Sequence, residues 1–216
     1  MSIRIETFER GPVDTNGYLV YDDEGTDAVI IDAPPEFAED VIAAAEARDL
    51  TPSALILTHT HWDHTGDVAA LRRHYPEMIV YVHADDEYRL IEPMKYTVWQ
   101  LPFTIEGSSA DRHLHHGDTL TLGVLCFEVI HTPGHTEGGI CLYDRSKKVL
   151  FVGDTLFAGS VGRTDLPGGD TVTLMSSIRS RLLPLPDDIR VLPGHGPATT
   201  IGRERKGNPF LRKDEG

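Results

Sequence analysis

The sequence predicts a protein of mixed α and β structure with one hydrophobic core. Short apolar runs rich in β-branched residues alternate with a few stretches of helical periodicity along the chain. No internal repeat, low-complexity tract or polar linker interrupts them. At 216 residues and 40% hydrophobic content, the chain is long enough to bury a sizeable core and short enough to form one domain. We therefore expect residues 1–216 to fold as a single domain.

The expected strands are short and are bounded by glycine, proline and acidic turn residues. The first three, with turn signals such as Gly11-Pro12 between them, are predicted to form an antiparallel meander. In chain order, the expected strands are residues 3–8, 18–21, 28–31, 54–57, 78–82, 119–122, 125–130, 140–143, 149–152 and 190–192.

Helical periodicity is clearest over residues 35–48. Apolar side chains between Phe37 and Ala45 fall on one helical face there, so this face can pack on a sheet while the acidic face stays in solvent. Further helices are expected over residues 67–74 and 171–183.

The segment 85–109 has no readable periodicity, because proline and glycine recur in it. It also carries the aromatic side chains Tyr96, Trp99 and Phe103. Two interpretations stay open at this point. The segment is either a lid or pocket wall lined by these aromatics, or a surface excursion that packs them on the core.

The composition limits which binding partners and which cellular compartment we expect. A formal net charge of −14 and a pI near 5.1 would repel polyanions, so nucleic acid is not an expected partner. No apolar run approaches the roughly 20 residues of a membrane span, and the first residues, MSIRIETFERG, are acidic where a signal peptide would be apolar. We therefore expect no membrane association and a cytoplasmic location. Cys126 and Cys141 both fall inside expected strands, and we interpret both as small buried side chains.

A dense group of potential metal ligands follows the expected strand 54–57. It is the run His59-Thr60-His61-Trp62-Asp63-His64. Positions i and i+2 of an extended chain point the same way, so His59 and His61 are expected to address one ion. Asp63 and His64 then turn toward a second ion as the chain enters a helix. Imidazole and carboxylate ligands suit zinc or iron, and the absence of a nearby cysteine argues against a closed structural zinc site.

Three later strands end in the same way, in a glycine-containing turn that carries one ligand-type residue. Glycine permits positive φ and lets the backbone approach an ion closely. The residues placed in this way are His135, Asp154 and His195. A lone histidine is more often hydrogen-bonded than ligating, but strand ends can converge on one edge, and the group as a whole predicts two adjacent metal sites.

These motifs resemble the metallo-β-lactamase superfamily over nearly the whole chain. The resemblance is carried by HTHWDH at 59–64, TPGHT around His135, GDTLF around Asp154 and PGHG around His195. Within that superfamily the chain is similar to the hydroxyacylglutathione hydrolases (glyoxalase II), and more closely to their short bacterial relatives without the separate helical glutathione-binding domain. The runs FAGSVGRTD and NPFL resemble those relatives. The resemblance implies an α+β fold, an αββα sandwich of two packed sheets between helices, with the metals at one open edge.

The resemblance also implies a ligand set and a reaction. It assigns the first metal to His59, His61 and His135, the second to Asp63, His64 and His195, and a bridging role to Asp154. The two divalent ions are expected to be zinc, with iron or manganese as alternatives. A water held between two such ions loses a proton near neutral pH, and the implied target is a small thioester such as S-lactoylglutathione. Asp63 is the implied catalytic residue, which orients that nucleophile.

Substrate recognition rests on fewer residues. Arg163 lies in a glycine-containing loop after Asp154, and its guanidinium is a candidate to bind a substrate carboxylate. The alternative is a structural pair between Arg163 and Asp165. A monomer and a homodimer both stay open.

Rival functions share the same residues. A persulfide dioxygenase also resembles this chain, shares the run GRTD at 162–165, and would use one iron on residues matching His59, His135 and Asp154. A lactonase, β-lactamase or other small-ester hydrolase would use the same ions. A non-catalytic metal-binding protein is the remaining alternative, and the complete ligand set argues against it.

The other polar residues near these motifs receive ordinary interpretations. Asp32, which closes an expected strand, is expected to brace a metal-binding histidine. Asp14 and Asn16 are attributed to a turn before Gly17. The histidines interpreted as solvated or hydrogen-bonded are His74, His83, His113, His115, His116 and His131.

Overall fold

Two six-stranded sheets form the centre of the computed structural model, which describes residues 3–23 and 25–212. The strands of the first sheet are β1 Ile3–Arg10, β2 Thr15–Asp22, β3 Asp27–Ile31, β4 Thr51–Ile56, β5 Ile79–His83 and β6 Arg112–Leu114. They lie side by side in chain order. The pairings from β1 to β3 are antiparallel, as the predicted meander requires, and those from β3 to β6 are parallel.

The second sheet is built from the later part of the chain. The remaining strands are β7 Thr119–Leu122, β8 Leu125–His131, β9 Ile140–Asp144, β10 Val149–Gly153, β11 Leu156–Phe157, β12 Ser160–Val161, β13 Arg190–Pro193 and β14 Thr199–Thr200. The sheet order is β14-β13-β10-β9-β8-β7, while β11 and β12 form a separate two-stranded ribbon. Within the larger sheet, β10 and β13 are parallel and the other neighbours are antiparallel.

Short helices cover the outer faces of the sheets. They are α1 Ala38–Glu46, α2 Trp62–Thr65, α3 Val68–His74, α4 Glu87–Ile91, α5 Pro93–Tyr96, α6 Thr171–Ser177 and α7 Ile201–Gly207. A 3₁₀ turn, Ala84–Asp86, precedes α4, and a π-helical turn, Ile178–Leu182, continues α6. None of the helices in the described parts of the chain has both the length and the apolarity that a bilayer crossing needs.

The alternation of side chains along each strand explains the layering. In β3, Val29 packs between the two sheets, whereas Ile30 packs in the layer that contains α1 and α3. In β10, Phe151 faces the inter-sheet core, whereas Leu150 packs with α6 and α7. Both faces of these central strands are thus buried, which their apolar sequences require. The expected αββα sandwich is confirmed.

Every expected strand and helix is present, with bounds shifted by a few residues. The shortest elements, such as β6 and β14, were not predicted, because two or three residues show no period and become strands only through pairing with a neighbour. Helix α7 was not predicted either, because its sequence IGRERKG lacks an apolar stripe; its first turn is capped by the Thr200 hydroxyl.

The interpretation of Cys126 as a buried side chain is wrong. Cys141 is fully buried in β9, but Cys126 is exposed on β8. Alternate residues of β8 face opposite sides near its start, and Cys126 lies on the solvent side between Leu125 and Phe127. A strand sequence alone does not say which face lies toward the solvent.

Gly17 provides a test of how tightly the first sheet packs on its helical layer. A Cβ atom at Gly17 would lie 2.7 Å from the ring of the buried Phe37, so we expect Gly17→Ala to destabilise the fold by about 1–3 kcal/mol through overpacking. The matched control is Gly207→Ala, where an added Cβ meets open space at the end of α7. Thermal unfolding of both variants checks this expectation, which an unchanged melting temperature for Gly17→Ala would contradict.

Candidate metal centre

All seven side chains predicted as metal ligands come together at one edge of the sandwich. His59 follows β4 of the first sheet, while His135, Asp154 and His195 follow β8, β10 and β13 of the second. Of the remaining three, His61 is the N-cap residue of the short helix α2, and Asp63 and His64 lie within that helix. The groups His59, His61, His135; His59, His64, Asp154; and Asp63, His64, His195 each place their ligand atoms within 4.8 Å of one another.

The first cluster consists of three imidazoles. His135 Nε2 lies 2.9 Å from His61 Nδ1 and 3.2 Å from His59 Nε2. Their nitrogens therefore surround one small volume, as ligands of a single ion do.

The second cluster combines imidazoles with carboxylates. Asp63 Oδ2 lies 3.1 Å from His195 Nε2 and 3.6 Å from His64 Nε2. Asp154 lies between the two clusters: its Oδ2 is 3.4 Å from His195 Nε2 and 3.6 Å from His135 Nε2, and its Oδ1 is 3.4 Å from His64 Nε2. Its carboxylate is therefore within reach of both clusters.

Acceptors behind the rings fix which nitrogen faces the centre. His135 Nδ1–H donates to the carbonyl of Arg163 at 2.7 Å, and His195 Nδ1–H donates to that of Val13 at 3.1 Å. A carbonyl oxygen only accepts, so in the neutral form of each ring the lone pair lies on Nε2, the nitrogen that faces the cluster. The backbone thus orients these imidazoles as ligands.

Asp32 braces two more of the rings, which confirms the expectation for this residue. His64 Nδ1–H donates to Asp32 Oδ2 at 2.8 Å. Thr58 donates both its backbone N–H and its hydroxyl to Asp32 at 2.8 Å, and the hydroxyl lies 3.2 Å from His59 Nδ1. One buried carboxylate therefore holds His64 directly and His59 through Thr58.

Gly153 and Gly194 let the backbone crowd around the ligands. A Cβ at Gly194 would lie 2.2 Å from Asp154 Oδ1 and 2.6 Å from His64 Cε1. Gly153 has φ +46°, in the left-handed region that favours glycine, and a Cβ there would lie 2.3 Å from the Thr58 hydroxyl. These two turns therefore need glycine, because a side chain at either position would collide with a ligand or with Thr58.

The two clusters differ electrostatically. Burial and the neighbouring imidazoles lower the pKa of His59 and bring the pKa of His61 to about 3, so these rings are neutral. Burial also opposes the charged form of His195, but hydrogen bonds to Asp154 and Asp63 raise its pKa to about 10. Burial opposes the charged form of His64 as well, but the charges of Asp32 and Asp154 outweigh burial and raise the pKa of His64 well above its ordinary value. The carboxylates therefore stabilise positive charge in the second cluster.

Two buried atoms show that this cluster fits a metal. His64 Nε2 and Asp154 Oδ1 are buried without a hydrogen-bond partner, although they face each other at 3.4 Å. An unsatisfied buried polar atom is costly, and a cation that replaces the His64 proton between these atoms would satisfy both. The nitrogen and oxygen donors suit zinc, iron or manganese alike. The clusters fit a dinuclear metal site.

An open cleft of about 140 Å³ leads to the ligands. Trp99 and Leu166 form part of its wall, and a neighbouring cleft lined by Tyr96 and Trp99 continues it. The segment 85–109 thus supplies a pocket wall, the first of its two interpretations. Phe103 does not line either cleft; it packs near Trp62, with ring centroids 6.1 Å apart.

Arg163 lines the same cleft but is paired. Its guanidinium donates two hydrogen bonds to the Asp165 carboxylate, at 2.8 and 2.7 Å. It also lies over the Trp99 ring, 5.3 Å from the centroid. The structural pair that the sequence analysis kept as an alternative is therefore present, on a residue that still faces the cleft.

Asp86 is a structural residue of the centre that was not predicted from the sequence. Its buried carboxylate accepts hydrogen bonds from the Thr60 and Gly138 N–H groups, at 3.2 and 2.7 Å, and from the Thr136 hydroxyl at 2.8 Å. Arg89 compensates the charge at 3.1 Å. Thr60 separates His59 from His61 in the chain, and Thr136 follows His135. Asp86 therefore joins the two loops that carry the first cluster, across sequence distances that show no local signal.

The attribution of Asn16 to a turn is wrong, whereas Asp14 has the positive φ, +55°, that a turn residue adopts. Asn16 is buried in β2, where its Nδ2 donates to the carbonyls of Pro193 and Gly196, both at 3.0 Å. These bonds fasten the loop that carries His195. Only the long-range pairing of β2 with that loop reveals the role.

The histidines set aside in the sequence do not join the centre. His113 contacts Glu87 at 2.6 Å, and His74 contacts Glu46 at 3.4 Å. His131 Nε2–H donates to the Glu137 carbonyl. The interpretation of these three as solvated or hydrogen-bonded histidines therefore holds.

Comparison with known proteins identifies the class. Residues 10–195 match the Metallo-beta-lactamase superfamily. The hydroxyacylglutathione hydrolase GloC of Haemophilus influenzae is 45% identical over 199 residues, which cover 91% of this chain and 92% of that protein. This chain therefore belongs to the metallo-β-lactamase superfamily and is a metal-dependent hydrolase of that class.

Solved structures agree with this assignment. BLEG-1 B3 metallo-beta-lactamase superposes with a TM-score of 0.90 at 41% identity, covering 97% of this chain and all of that one. TTHA1623 in a di-iron-bound form gives a TM-score of 0.85 at 40% identity, covering 95% of this chain and 100% of that one. ETHE1 from Myxococcus xanthus gives 0.76 at 28% identity, covering 95% and 83%.

Removing the charge of Asp32 tests its support of the ligands. We expect Asp32→Asn to weaken metal affinity by about 10–100-fold, because His64 loses its anionic acceptor. Asparagine tolerates the φ of +59° at this position, so the backbone should not change. Competition with a chromogenic chelator measures the affinity. Asp27→Asn, at the exposed start of the strand that precedes Asp32, is the control, and equal affinities in both variants would contradict the prediction.

Asp86→Asn tests the link between the two ligand loops. The variant weakens the hydrogen bonds that the Asp86 carboxylate accepts from both loops and removes one of the two carboxylates that face Arg89, so we expect a loss of about 1.5–3 kcal/mol in unfolding free energy together with weaker metal binding. Asp188→Asn, which breaks an exposed pair with Lys148, should change neither quantity appreciably. Denaturant unfolding with and without added Zn²⁺ checks both variants. Wild-type stability in Asp86→Asn would show that Asp86 does not link the two ligand loops.

Proposed function

We propose that this protein is a thioesterase of the hydroxyacylglutathione hydrolase type, which cleaves S-lactoylglutathione or a similar small thioester. The observation that carries the proposal is the complete second cluster of Asp63, His64 and His195 beside the first, with Asp154 between them. A two-ion site that opens on a cleft suits hydrolysis. The similarity to GloC supports the thioester as substrate.

The proposed ligands fall into two groups, which correspond to the two clusters of the structure. His59, His61 and His135 would hold one ion, Asp63, His64 and His195 the other, with Asp154 shared. Two bound ions, most suitably zinc, would lower the pKa of a bound water toward neutrality and polarise the substrate carbonyl. The chain supplies the orientation: carbonyl groups and Asp32 keep the Nε2 lone pairs of four imidazoles directed at the centre.

Asp63 is the proposed catalytic residue. Its Oδ2 accepts a hydrogen bond from the Thr15 hydroxyl at 3.1 Å, and its carboxylate lines the cleft. Burial raises the pKa of Asp63, but the charge of His64 and the hydrogen bond of His195 bring it below the ordinary value. Asp63 is thus an anionic acceptor at neutral pH, which can orient the attacking water and receive its proton.

The cleft wall suits a thioester with a polar tail. Trp62, Trp99 and Leu166 exclude water from one side of the reacting carbonyl, which strengthens electrostatic interactions there. Arg163 stands at the same cleft, and its partner Asp165 is exposed. A substrate carboxylate could therefore replace Asp165 on the guanidinium without burying an unpaired charge.

A persulfide dioxygenase is the second candidate. His59, His135 and Asp154 do converge, with 3.2 Å between the histidine Nε2 atoms and 3.6 Å from His135 to Asp154. These three would hold one iron. Asp63 and His195, 3.1 Å apart, would then have no role, and their presence favours the two-ion hydrolase.

The proposal includes the setting of the enzyme. Both cysteines are free thiols, which suits the reducing cytoplasm. The net charge of −14 disfavours nucleic acid as a partner. The proposed partner is the small thioester, with the protein acting as a monomer or a homodimer and without a membrane.

The direct test is hydrolysis of S-lactoylglutathione by protein of measured metal content. We expect cleavage that a chelator abolishes and Zn²⁺ restores, without oxygen uptake on glutathione persulfide. His59→Ala and Asp154→Ala should lower kcat/KM by at least about 100-fold, or about 3 kcal/mol, because each removes a ligand. His74→Ala, far from the centre on α3, is the matched control and should keep wild-type activity.

Other outcomes identify the alternatives. Oxygen uptake with one iron per chain would overturn the proposal in favour of the dioxygenase. Metal-dependent cleavage of a β-lactam or lactone, with no cleavage of the thioester, would keep the hydrolase class and reject this substrate.

A further inference from the structure

The small ribbon of β11 and β12 contacts ligands of both metal clusters. The Phe157 ring lies edge-on to the His195 ring, with centroids 6.2 Å apart. Two residues after β12, the carbonyl of Arg163 accepts the hydrogen bond that orients His135. The guanidinium of Arg163 lines the cleft. The position of the ribbon therefore affects both the orientation of the ligands and the cleft wall.

The ribbon cannot hold this position by itself. It forms a separate sheet in which each strand has only two residues. An isolated two-stranded hairpin is marginally stable at best in water. Leu156 and Val161 anchor the base of the ribbon in the outer core, but the turn at Ala158 and Gly159 lies at the opposite end. Contacts from another element must therefore hold the turn.

Helix α7 and its C-cap residue provide these contacts. Glu204 is buried in the helix, and its carboxylate accepts a hydrogen bond from the Gly159 N–H at 2.8 Å. Asn208, also buried, donates through Nδ2 to the Ser160 carbonyl and to Glu204 Oε2, both at 2.9 Å. Two adjacent backbone groups of the ribbon are thus bonded to two side chains that also bond each other.

The same carboxylate reaches the loop that carries His195. The Thr199 hydroxyl, four residues after His195, donates to Glu204 Oε1. Three donors from different parts of the chain therefore satisfy one buried carboxylate. A displacement of Glu204 would leave buried polar groups unpaired, which is costly, so the carboxylate holds the ribbon and the start of β14 at a fixed separation.

We propose that Glu204 and Asn208 are positioning residues of the metal centre, which act through the β11–β12 ribbon. Neither side chain is among the residues that line the two clefts at the centre. Their effect passes through the ribbon to His195 of one cluster and His135 of the other. The run NPFL, which the sequence shares with the short bacterial hydrolases, thereby acquires a role, because its asparagine fixes the ribbon.

A purely structural role of α7 makes a different prediction. The helix also buries Ile201 in the outer core, so weakening it lowers stability whatever the ribbon does. A structural role alone would change unfolding and leave the metal affinity of the folded protein as it was. A positioning role lowers the metal affinity of protein that is still folded.

The zinc affinity of folded variants tests the proposal. We expect Asn208→Ala to bind zinc about tenfold more weakly than wild type, because the carbonyl behind His135 and the ring against His195 lose their fixed places. Glu204→Gln keeps the size of the side chain but replaces one acceptor oxygen with a donor amide. It should shift the affinity in the same direction, and it decides the question if Asn208→Ala does not fold. Competition with a chromogenic chelator measures the affinities, and circular dichroism establishes the fold.

Leu50→Ala is the matched control for a general loss of stability. Leu50 is buried in the layer of α1 and α3, directly before β4, at the end of that strand opposite His59. We expect this variant to unfold at a lower temperature and yet to bind zinc as wild type does. The proposal is overturned if the folded variants Asn208→Ala and Glu204→Gln bind zinc with wild-type affinity. It is equally overturned if Leu50→Ala loses as much affinity as they do.

Steady-state kinetics at saturating zinc give a second readout, which rests on the proposed function. Arg163 follows the ribbon, whereas every metal ligand stays present, so we expect Asn208→Ala to raise KM for S-lactoylglutathione about tenfold with little change in kcat. A loss confined to kcat would contradict the effect on the cleft wall. If wild type cleaves no thioester, the proposed function fails, and the zinc affinities still decide the role of Glu204 and Asn208.

Discussion

The carboxylate of Asp154 lies 3.4 Å from the imidazole nitrogens of His64 and His195, and 3.6 Å from that of His135. A buried anion is tolerated only where donors or cations surround it, and here these groups come from both sheets. The ends of β4 and β10 must therefore stay in register across the inter-sheet core. That core of alternating apolar residues, which includes Val29 and Phe151, fixes the distance between the two strand ends. Packing of the two sheets against each other therefore also brings the residues of the metal centre together.

The backbone meets this requirement with glycine on one side and acceptors on the other. Gly194 leaves no room for a side chain between its own backbone and Asp154, so the β13 turn can press against the carboxylate. Behind the rings, fixed acceptors such as Asp32 and the Arg163 carbonyl hold four of the five imidazoles in one tautomer. The ligand geometry is therefore set before any ion arrives, which reduces the reorganisation that binding requires.

The sequence predicted those features that have a local cause. The i, i+2 spacing of His59 and His61 and the strand-then-glycine pattern before Asp154 are visible in a few consecutive residues, and the structure brings these residues together. Asp86 and Asn16 have no such signal, because their partners lie far along the chain, Thr136 and Pro193 among them. The exposed face of Cys126 was missed for a related reason: periodicity gives the alternation of a strand but not which face the solvent covers.

The 3₁₀ turn Ala84–Asp86 joins the end of β5 to the metal centre. At its start, the ring of His83 accepts a hydrogen bond from the Asp85 N–H; at its end, Asp86 accepts from Thr60, between two ligands of the centre. Because a three-residue turn has few soft dihedrals, a displacement of its first residue moves the last. The buried Asp86 carboxylate, held by backbone and side-chain donors from both loops, is the contact through which such a displacement reaches the ligands.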